Sequence, residues 1–131
     1  ERMERIFHEP GATASQSKTV TRRIAMFTEL RAEKEAWYRL LHANPWPDVL
    51  RAIRAANYRD FSIFLEELDG RLYLFAWLEY VGEDFEADSI KNAQDPASIR
   101  WWKETDACQI PPPEVEEGTW GGAEELHFTE N

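Results

Sequence analysis

The chain has 131 residues, of which 43% are hydrophobic and 31% are charged, so it is long enough for one domain and apolar enough for a real core. Its formal net charge of −10 makes nucleic acid and anionic membranes poor partners. No stretch approaches the roughly 20 apolar residues of a membrane span, and the single cysteine, Cys108, is consistent with a cytoplasmic location. Six tryptophans are many for this length, and they suit packing, an interface or stacking on a ligand.

Residues 1–19 are interpreted as a flexible N-terminal extension, followed by a domain at 20–131. The extension mixes charged and small residues without a sustained period. Within it, residues 11–19 (GATASQSKT) faintly resemble a phosphate-binding loop. The glycine that should precede the lysine is absent and no strand comes before the segment, so a nucleotide site is not expected.

Hydrophobic periodicity and turn residues predict regular structure from residue 20 onward. Pro45 and Pro47 require the first helix to end or kink near Asn44, since proline removes a donor and crowds the preceding turn. Asp95 and Pro96 mark a break in a later helical stretch. In chain order, the predicted elements are a strand at 23–30, a helix at 32–41, a helical piece at 47–56, strands at 61–68 and 71–81, mostly helical structure at 83–108 and a short strand at 124–129.

This order of strand, helix, strand, strand, helix, strand is that of the ferredoxin-like α+β fold. In the strand at 71–81, Tyr73, Phe75 and Trp77 share one face, and the residues on the opposite face are also apolar. Helices cover only one face of such a sheet, so we expect a homodimer that packs sheet against sheet. The alternative is that the C-terminal loop of the same chain covers this face.

Tyr38, His42 and Trp46 recur at intervals of four, which brings side chains together on one face of a helix. His42 falls in the last turn before the prolines, where helix carbonyls favour a cation, so we expect this position to help keep a proton on the imidazole. A protonated imidazole is suited to general acid catalysis. The alternative is an amphipathic face that contains one satisfied histidine.

Trp101 and Trp102 are adjacent, and on a helix their side chains point about 100° apart. One can pack inward while the other faces a cleft and stacks on a sugar or a planar ligand; ordinary core packing is the alternative. The remaining candidate ligands, His8, His127 and Cys108, share no metal-ligand spacing with His42, so no metal site is expected.

Four segments in the same order resemble the L-rhamnose mutarotase family. They are Tyr38-x-x-x-His42-x-x-x-Trp46-Pro47, residues 61–65 (FSIFL), residues 74–76 (LFA) and residues 100–103 (RWWK). The resemblance extends from about Arg23 to Phe128 and implies a dimeric α+β barrel of ferredoxin-like type. It also implies an isomerase that interconverts the α and β anomers of L-rhamnose, or a related aldose, by acid–base opening and closing of the ring.

The resemblance implies that His42 is the proton donor and that Tyr38 contacts the sugar. Phe61 stands where the family usually has a sugar-contacting tyrosine, so one hydrogen bond to the sugar is absent, and this departure bears on which sugar is bound. The reaction needs no metal or redox cofactor, and its second proton-transfer group is either Tyr38 or a water. The predicted site is therefore His42 and Tyr38 for catalysis, with Tyr38, Phe61, Trp101, Trp102 and Trp46 for sugar binding.

Two other functions fit the same sequence. The first is a non-catalytic sugar-binding or regulatory module that retains the pocket, which Phe61 motivates. The second is another enzyme class on the same barrel, such as a cofactor-free monooxygenase or a haem-binding relative. The clustered aromatic residues suit a flat ligand, but the sequence offers no convincing set of axial ligands for haem.

Overall fold

The computed structural model describes residues 3–9, 19–116 and 118–125. Its elements are β1 Glu4–His8, β2 Arg22–Leu30, a 3-10 turn at Ala32–Lys34, α1 Glu35–Ala43, α2 Pro47–Ala55, β3 Tyr58–Leu68, β4 Arg71–Tyr80, α3 Phe85–Ala93, α4 Pro96–Asp106, β5 Gln109–Ile110 and β6 Gly121–Ala123. The predicted α+β fold is confirmed, with the helices on one side of a single antiparallel sheet. Within the described ranges, no helix has the length and apolar character needed to cross a membrane.

The helix boundaries follow from residues that satisfy or remove backbone donors. α1 ends at Ala43, as predicted, and Pro47 occupies the first turn of α2, where its missing N–H has no cost. The predicted break at Asp95 and Pro96 is also confirmed, because α3 ends at Ala93 and α4 begins at Pro96. The Asp95 side chain caps α4 by accepting a hydrogen bond from the Ala97 amide.

The strand order is β1-β3-β4-β2-β5, and β6 pairs with β2 beside β5. β3 and β4 are joined by a two-residue turn in which Asp69 and Gly70 both have positive φ angles, 53° and 76°. This is the turn geometry whose twist matches a hairpin, and the sequence predicts it at the same residues. The hairpin lies beside β2, so the unit formed by β2, β3, β4 and β5 has the predicted ferredoxin-like connectivity.

The N-terminal segment contains a strand that the sequence analysis did not predict. β1 pairs antiparallel with β3 at the edge of the sheet, with Glu4 opposite Leu65 and His8 opposite Ser62. The expectation of a flexible extension was therefore wrong for Glu4–His8. Five residues are too few to show a period, and the pairing depends on a strand more than 50 residues away. The boundary between residues 19 and 20 stays a prediction, and residues 11–18 of the loop discussed above lie outside the described residues.

The last described strand, β6 at Gly121–Ala123, lies before the strand that the sequence predicts at 124–129. The prediction was wrong for Glu124 and Glu125, which are not in a strand, and residues 126–129 lie outside the described residues. Glycine-rich residues carry no strand signal, so the sequence does not indicate β6. The pairing nevertheless requires a small residue, because a Cβ on Gly121 would lie 3.1 Å from both the Phe27 ring and Pro112.

Both faces of the sheet are apolar, but the helices cover only one of them. Leu74, Ala76 and Leu78 of β4 are buried beneath the helices, on what we call the inner face. The outer face carries the alternate residues of β2, β3 and β4. Its large apolar members, all half-buried, are Phe27, Phe64, Tyr73, Phe75 and Trp77.

Candidate active site

A cavity of about 380 Å³ lies between the inner face of the sheet and the helices. Its volume is within the range of small-molecule sites, and its walls are mainly apolar with a few polar groups. Five of the six predicted site residues line it: Tyr38, His42, Phe61, Trp101 and Trp102. Residues from α1, β3 and α4 thus meet in one place, although they are up to 64 positions apart in the chain.

The Tyr38 and His42 rings stack on one side of α1, with centroids 4.2 Å apart and planes inclined by 28°. The His42 Nδ1 atom lies 2.9 Å from the backbone carbonyl oxygen of Tyr38. A carbonyl oxygen only accepts, so Nδ1 carries the hydrogen in this contact. In the neutral ring Nε2 is then the unprotonated nitrogen, which makes it the atom that can accept a proton.

Burial lowers the pKa of His42 to about 4, with the hydrogen bond to the Tyr38 carbonyl opposing that effect. The expectation that the end of α1 keeps a proton on His42 was therefore wrong. The ring is only 6% exposed and is enclosed by aromatic groups. The Leu40 carbonyl at the helix end is already bonded to the amide and the side chain of Asn44. His42 is neutral at neutral pH.

Tyr38 is almost fully buried, and its hydroxyl accepts a hydrogen bond of 2.9 Å from Nε2 of Gln109. Gln109 in turn accepts from the Thr119 hydroxyl. Burial raises the pKa of Tyr38, so the phenol keeps its hydrogen and can donate it. Gln109 of β5 and Thr119, just before β6, both line the cavity, and the sequence analysis missed them because no motif marks isolated polar residues in such short segments.

The two adjacent tryptophans differ in burial, as the sequence predicts. Trp101 is buried, with its ring centroid 5.2 Å from that of His42, whereas Trp102 is 37% exposed at the edge of the cavity. Trp46 packs edge-to-face on Trp101, with centroids 5.0 Å apart, and is not among the described residues that line the cavity. The expectation that Trp46 shares the helix face of Tyr38 and His42 was wrong, because α1 ends at Ala43.

Phe61 reaches the cavity from β3, on the same side of the strand as Ile63. The pairing of β3 with β4 shifts register between Arg59 and Ser62, and Asp60 has a positive φ of 54°. Such an irregularity re-aims the following side chain, and here Phe61 faces the enclosed space. Its ring packs edge-on against Phe7 of β1, with centroids 5.9 Å apart.

Asp106, at the end of α4, is the one carboxyl group among the described residues that line the cavity. Burial raises its pKa, and the Thr119 hydroxyl, 3.4 Å away, opposes that effect. The other sequence candidates lie elsewhere: His8 pairs with Asp60, and His127 lies outside the described residues. Across residues 3–9, 19–116 and 118–125, no three His, Cys, Asp or Glu side chains form a group able to hold a metal ion.

The model of the protein family described as L-rhamnose mutarotase matches residues 23–128. The chain belongs to the L-rhamnose mutarotase family. The L-rhamnose mutarotase of Bacillus subtilis (strain 168) is 34% identical over 82 residues, which are 63% of this chain and 74% of that protein. The crystal structure of L-rhamnose mutarotase from Formosa agariphila shares the fold, with a TM-score of 0.62 and 20% identity over 84% of this chain and 100% of that one.

Membership confirms the family and the reaction class that the sequence predicts. Mutarotases of this family are isomerases that interconvert the anomers of L-rhamnose. This assignment favours an enzyme over the non-catalytic module and over the monooxygenase or haem-binding alternatives. The match begins at Arg23, so β1 lies outside it although Phe7 of that strand lines the cavity.

Proposed function

We propose that the chain interconverts the α and β anomers of L-rhamnose, or of a closely related 6-deoxy aldose, in this cavity, with His42 as the proton-transfer group. The observation that carries the proposal is the hydrogen bond from Nδ1 of His42 to the Tyr38 carbonyl. It fixes the tautomer, so the Nε2 atom of the neutral ring is available as a base. The stack against Tyr38 holds the ring in place before the sugar binds.

The neutral ring sets the order of the proton transfers. Nε2 of His42 takes the proton of the anomeric hydroxyl while the bond between C1 and the ring oxygen breaks, and the resulting imidazolium gives a proton to the ring oxygen. The sugar is then an open-chain aldehyde, which rotates about C1–C2 and closes by the reverse steps. His42 is thus the proton donor that the family resemblance implies, but it first acts as an acceptor. A low pKa makes the imidazolium a strong acid, which speeds its return to the neutral form.

Tyr38 is suited to donate a hydrogen bond to the ring oxygen or to the oxygen that develops negative charge. Its oxygen already accepts from Gln109, so its own hydrogen is available for the sugar. The raised pKa of Tyr38 argues against full proton transfer from the phenol and in favour of hydrogen bonding. Between the two groups that the sequence left open, this supports Tyr38 as the donor that assists His42.

The part of the cavity wall formed by Phe7 and Phe61 favours a sugar with a methyl group in place of a hydroxyl. Both side chains are apolar and offer no hydrogen bond. A sugar hydroxyl buried without a partner costs about 1–3 kcal/mol, whereas a methyl gains by leaving water. Trp101 and Trp102 supply aromatic faces on which the C–H side of the sugar can stack, and Asp106 can accept from hydroxyls at the rim.

We also propose that the protein is a homodimer through the outer face of the sheet. The large apolar residues of that face are half-buried and belong to three neighbouring strands. An apolar patch of this kind favours association over exposure to water. We propose a cytoplasmic location as well, since Cys108 is a buried free thiol, as is usual in a reducing compartment.

Exchange NMR of the anomeric protons tests the activity directly. Saturation of one anomeric signal is transferred to the other at the rate of interconversion, so we expect the protein to raise the exchange rate of L-rhamnose above that of buffer. L-Fucose and L-mannose serve as comparison sugars, because they differ from L-rhamnose in ring stereochemistry and at C6 respectively. Binding of L-rhamnose without any increase in exchange would instead identify a non-catalytic sugar-binding module.

A further inference from the structure

Strand β1 reaches the active site although it lies outside the residues that match the family. The match covers residues 23–128, whereas β1 is Glu4–His8. Phe7, at 8% exposure, points away from solvent and lines the cavity. The segment therefore adds a wall to the site as well as a strand to the sheet.

Phe7 contacts the proposed proton-transfer group itself. Its ring lies edge-on to the His42 imidazole, with centroids 5.5 Å apart and planes at 79°. Tyr38 stacks on the imidazole and Trp101 packs against it, at centroid distances of 4.2 Å and 5.2 Å. Three aromatic rings thus enclose His42, and one of the three comes from β1.

Ion pairs fix both ends of β1 to the body of the protein. At the start, the Glu4 carboxylate accepts two hydrogen bonds of 2.9 and 3.0 Å from Arg39 of α1, the helix that carries His42. Just beyond the end, Glu9 is fully buried, and its carboxylate accepts from Arg54 of α2 at 2.8 Å and from the Asp60 amide at 3.0 Å. The Glu9 amide also donates to the Phe61 carbonyl at 2.8 Å.

These contacts hold β1 in a fixed position relative to α1, α2 and β3. A carboxylate without solvent is tolerated only when its oxygens are bonded, so Glu9 has one favourable position. β1 has only five residues, with a shift in its pairing register between Arg5 and Phe7, and contacts on both sides of Phe7 limit the freedom of that ring against His42.

We propose that β1 forms part of the active-site wall. In this strand Phe7 is a positioning residue, which holds the His42 imidazole in place and excludes water from it. The catalytic part of this inference rests on the proposed function, whereas the effect on the imidazole does not. Solvent at the ring would favour the charged form and would compete with the anomeric hydroxyl for Nε2. The apolar ring of Phe7, packed against the imidazole, opposes both effects.

The titratable groups around His42 are few, so a change at Phe7 can be interpreted. Among the described residues that line the two cavities beside His42, α1 contributes Tyr38, β1 contributes Arg5 and His8, β3 contributes Tyr58 and α4 contributes Asp106. Burial is the dominant cause of the lowered His42 pKa, and the hydrogen bond to the Tyr38 carbonyl opposes it. Removal of a covering ring should therefore act mainly through solvation.

The test compares the wild type with Phe7→Ala, Phe7→Leu and Ile6→Ala in the full chain. For each we measure the NMR titration of the His42 ring without sugar, and kcat and KM for anomer exchange of L-rhamnose. Phe7→Ala should raise the His42 pKa by at least about one unit and lower kcat by about tenfold. Phe7→Leu keeps an apolar cover and should retain most of both properties. Ile6→Ala removes apolar packing from the same strand without opening the main cavity, so it controls for general loosening of β1 and should change both properties less than Phe7→Ala does.

A folded Phe7→Ala protein with the wild-type titration and the wild-type kcat would overturn the proposal. If Phe7→Ala does not fold, as judged by circular dichroism, Phe7→Leu and Phe7→Val form a graded series in which the His42 pKa should rise as the side chain becomes smaller. An unchanged titration in both variants would also overturn it. If the wild type catalyses no exchange, the proposed function fails, whereas the titration still decides the role of Phe7 in enclosing His42.

Discussion

The inner and outer faces of one sheet show how the same three strands serve two purposes. On the inner side, the cavity between the sheet and the helices holds polar groups that are bonded to partners, as with His42 and the Tyr38 carbonyl or Tyr38 and Gln109. On the outer face, aromatic residues such as Phe75 and Trp77 alternate with the inner residues and are half-buried. Aromatic content alone therefore does not locate a site. Buried, partnered polar groups among the aromatic rings distinguish the cavity from a surface suited to association.

Substitution on the inner face should have the largest effect on the reaction. His42→Ala removes the proton-transfer group, and general acid–base catalysis contributes ~10²–10⁴-fold, so we expect catalysed anomer exchange to fall by at least about 100-fold. Exchange NMR measures the rate, and circular dichroism checks the fold. His8→Ala is the matched control, because that histidine is exposed and pairs with Asp60. Retained exchange in His42→Ala would remove His42 from the mechanism.

On the outer face, Trp77→Glu should change assembly more than chemistry. A carboxylate placed in an apolar interface has no partner, and an uncompensated buried charge costs about 3–5 kcal/mol, enough to dissociate a dimer. Light scattering should give about twice the chain mass for the wild type and the chain mass for the variant. Trp37→Glu provides the control, since Trp37 is 42% exposed on α1. A monomeric wild type would refute the proposed dimer.

The polar network of the inner face should contribute to both stability and rate. Gln109→Leu leaves the Tyr38 hydroxyl without its donor and leaves the Thr119 hydroxyl with Asp106, 3.4 Å away, as its remaining acceptor. We expect the free energy of unfolding to fall by about 1–3 kcal/mol, because buried polar groups are left unsatisfied, and exchange to slow by about tenfold. Denaturant titration and exchange NMR test this, with the exposed Gln94→Leu as control. Wild-type values for both would show that the network does not position Tyr38.

The smallest effect is expected at Phe61, where a hydroxyl can be restored. Phe61→Tyr should change the preference among L-rhamnose, L-fucose and L-mannose by up to about tenfold, because one hydrogen bond to the sugar is worth roughly 0.5–1.5 kcal/mol. The pH profile should stay the same, since His42 is unaffected. Equal ratios of exchange rates across the three sugars in both proteins would place Phe61 outside the sugar contacts.

Local signals explain which parts of this molecule could be predicted from its sequence. The paired prolines after Asn44 and the Asp69–Gly70 turn determine the backbone within a few residues, and the structure has both where the sequence predicts them. The spacing of Tyr38 and His42 predicted their contact for the same reason, because four residues make about one turn of helix. Trp46 has the same spacing but lies beyond the end of α1, so the period no longer applied to it.

The remaining features depend on contacts between distant segments. β1 contributes Phe7 to the site only through pairing with β3, and Gln109 reaches Tyr38 across 71 positions. The protonation state of His42 also depends on distant segments. The helix end favours a cation locally, but three rings from different elements exclude the water that would stabilise the charge. None of these effects has a signature in the neighbouring sequence.

The central claim is that His42 is neutral in the resting protein, with its hydrogen on Nδ1, and accepts the first proton at Nε2. The most direct test is the ¹⁵N NMR spectrum of the His42 ring, recorded without sugar from about pH 3.5 to 8. The account predicts the Nδ1–H tautomer at pH 7 and a pKa well below the ordinary 6.5, near the value of about 4 that burial produces. Accordingly, kcat/KM should be level near neutral pH and fall as the pH is lowered through that pKa, because protonation of Nε2 removes the base. A His42 ring that is charged at pH 7, or a neutral ring with its hydrogen on Nε2, would contradict the account.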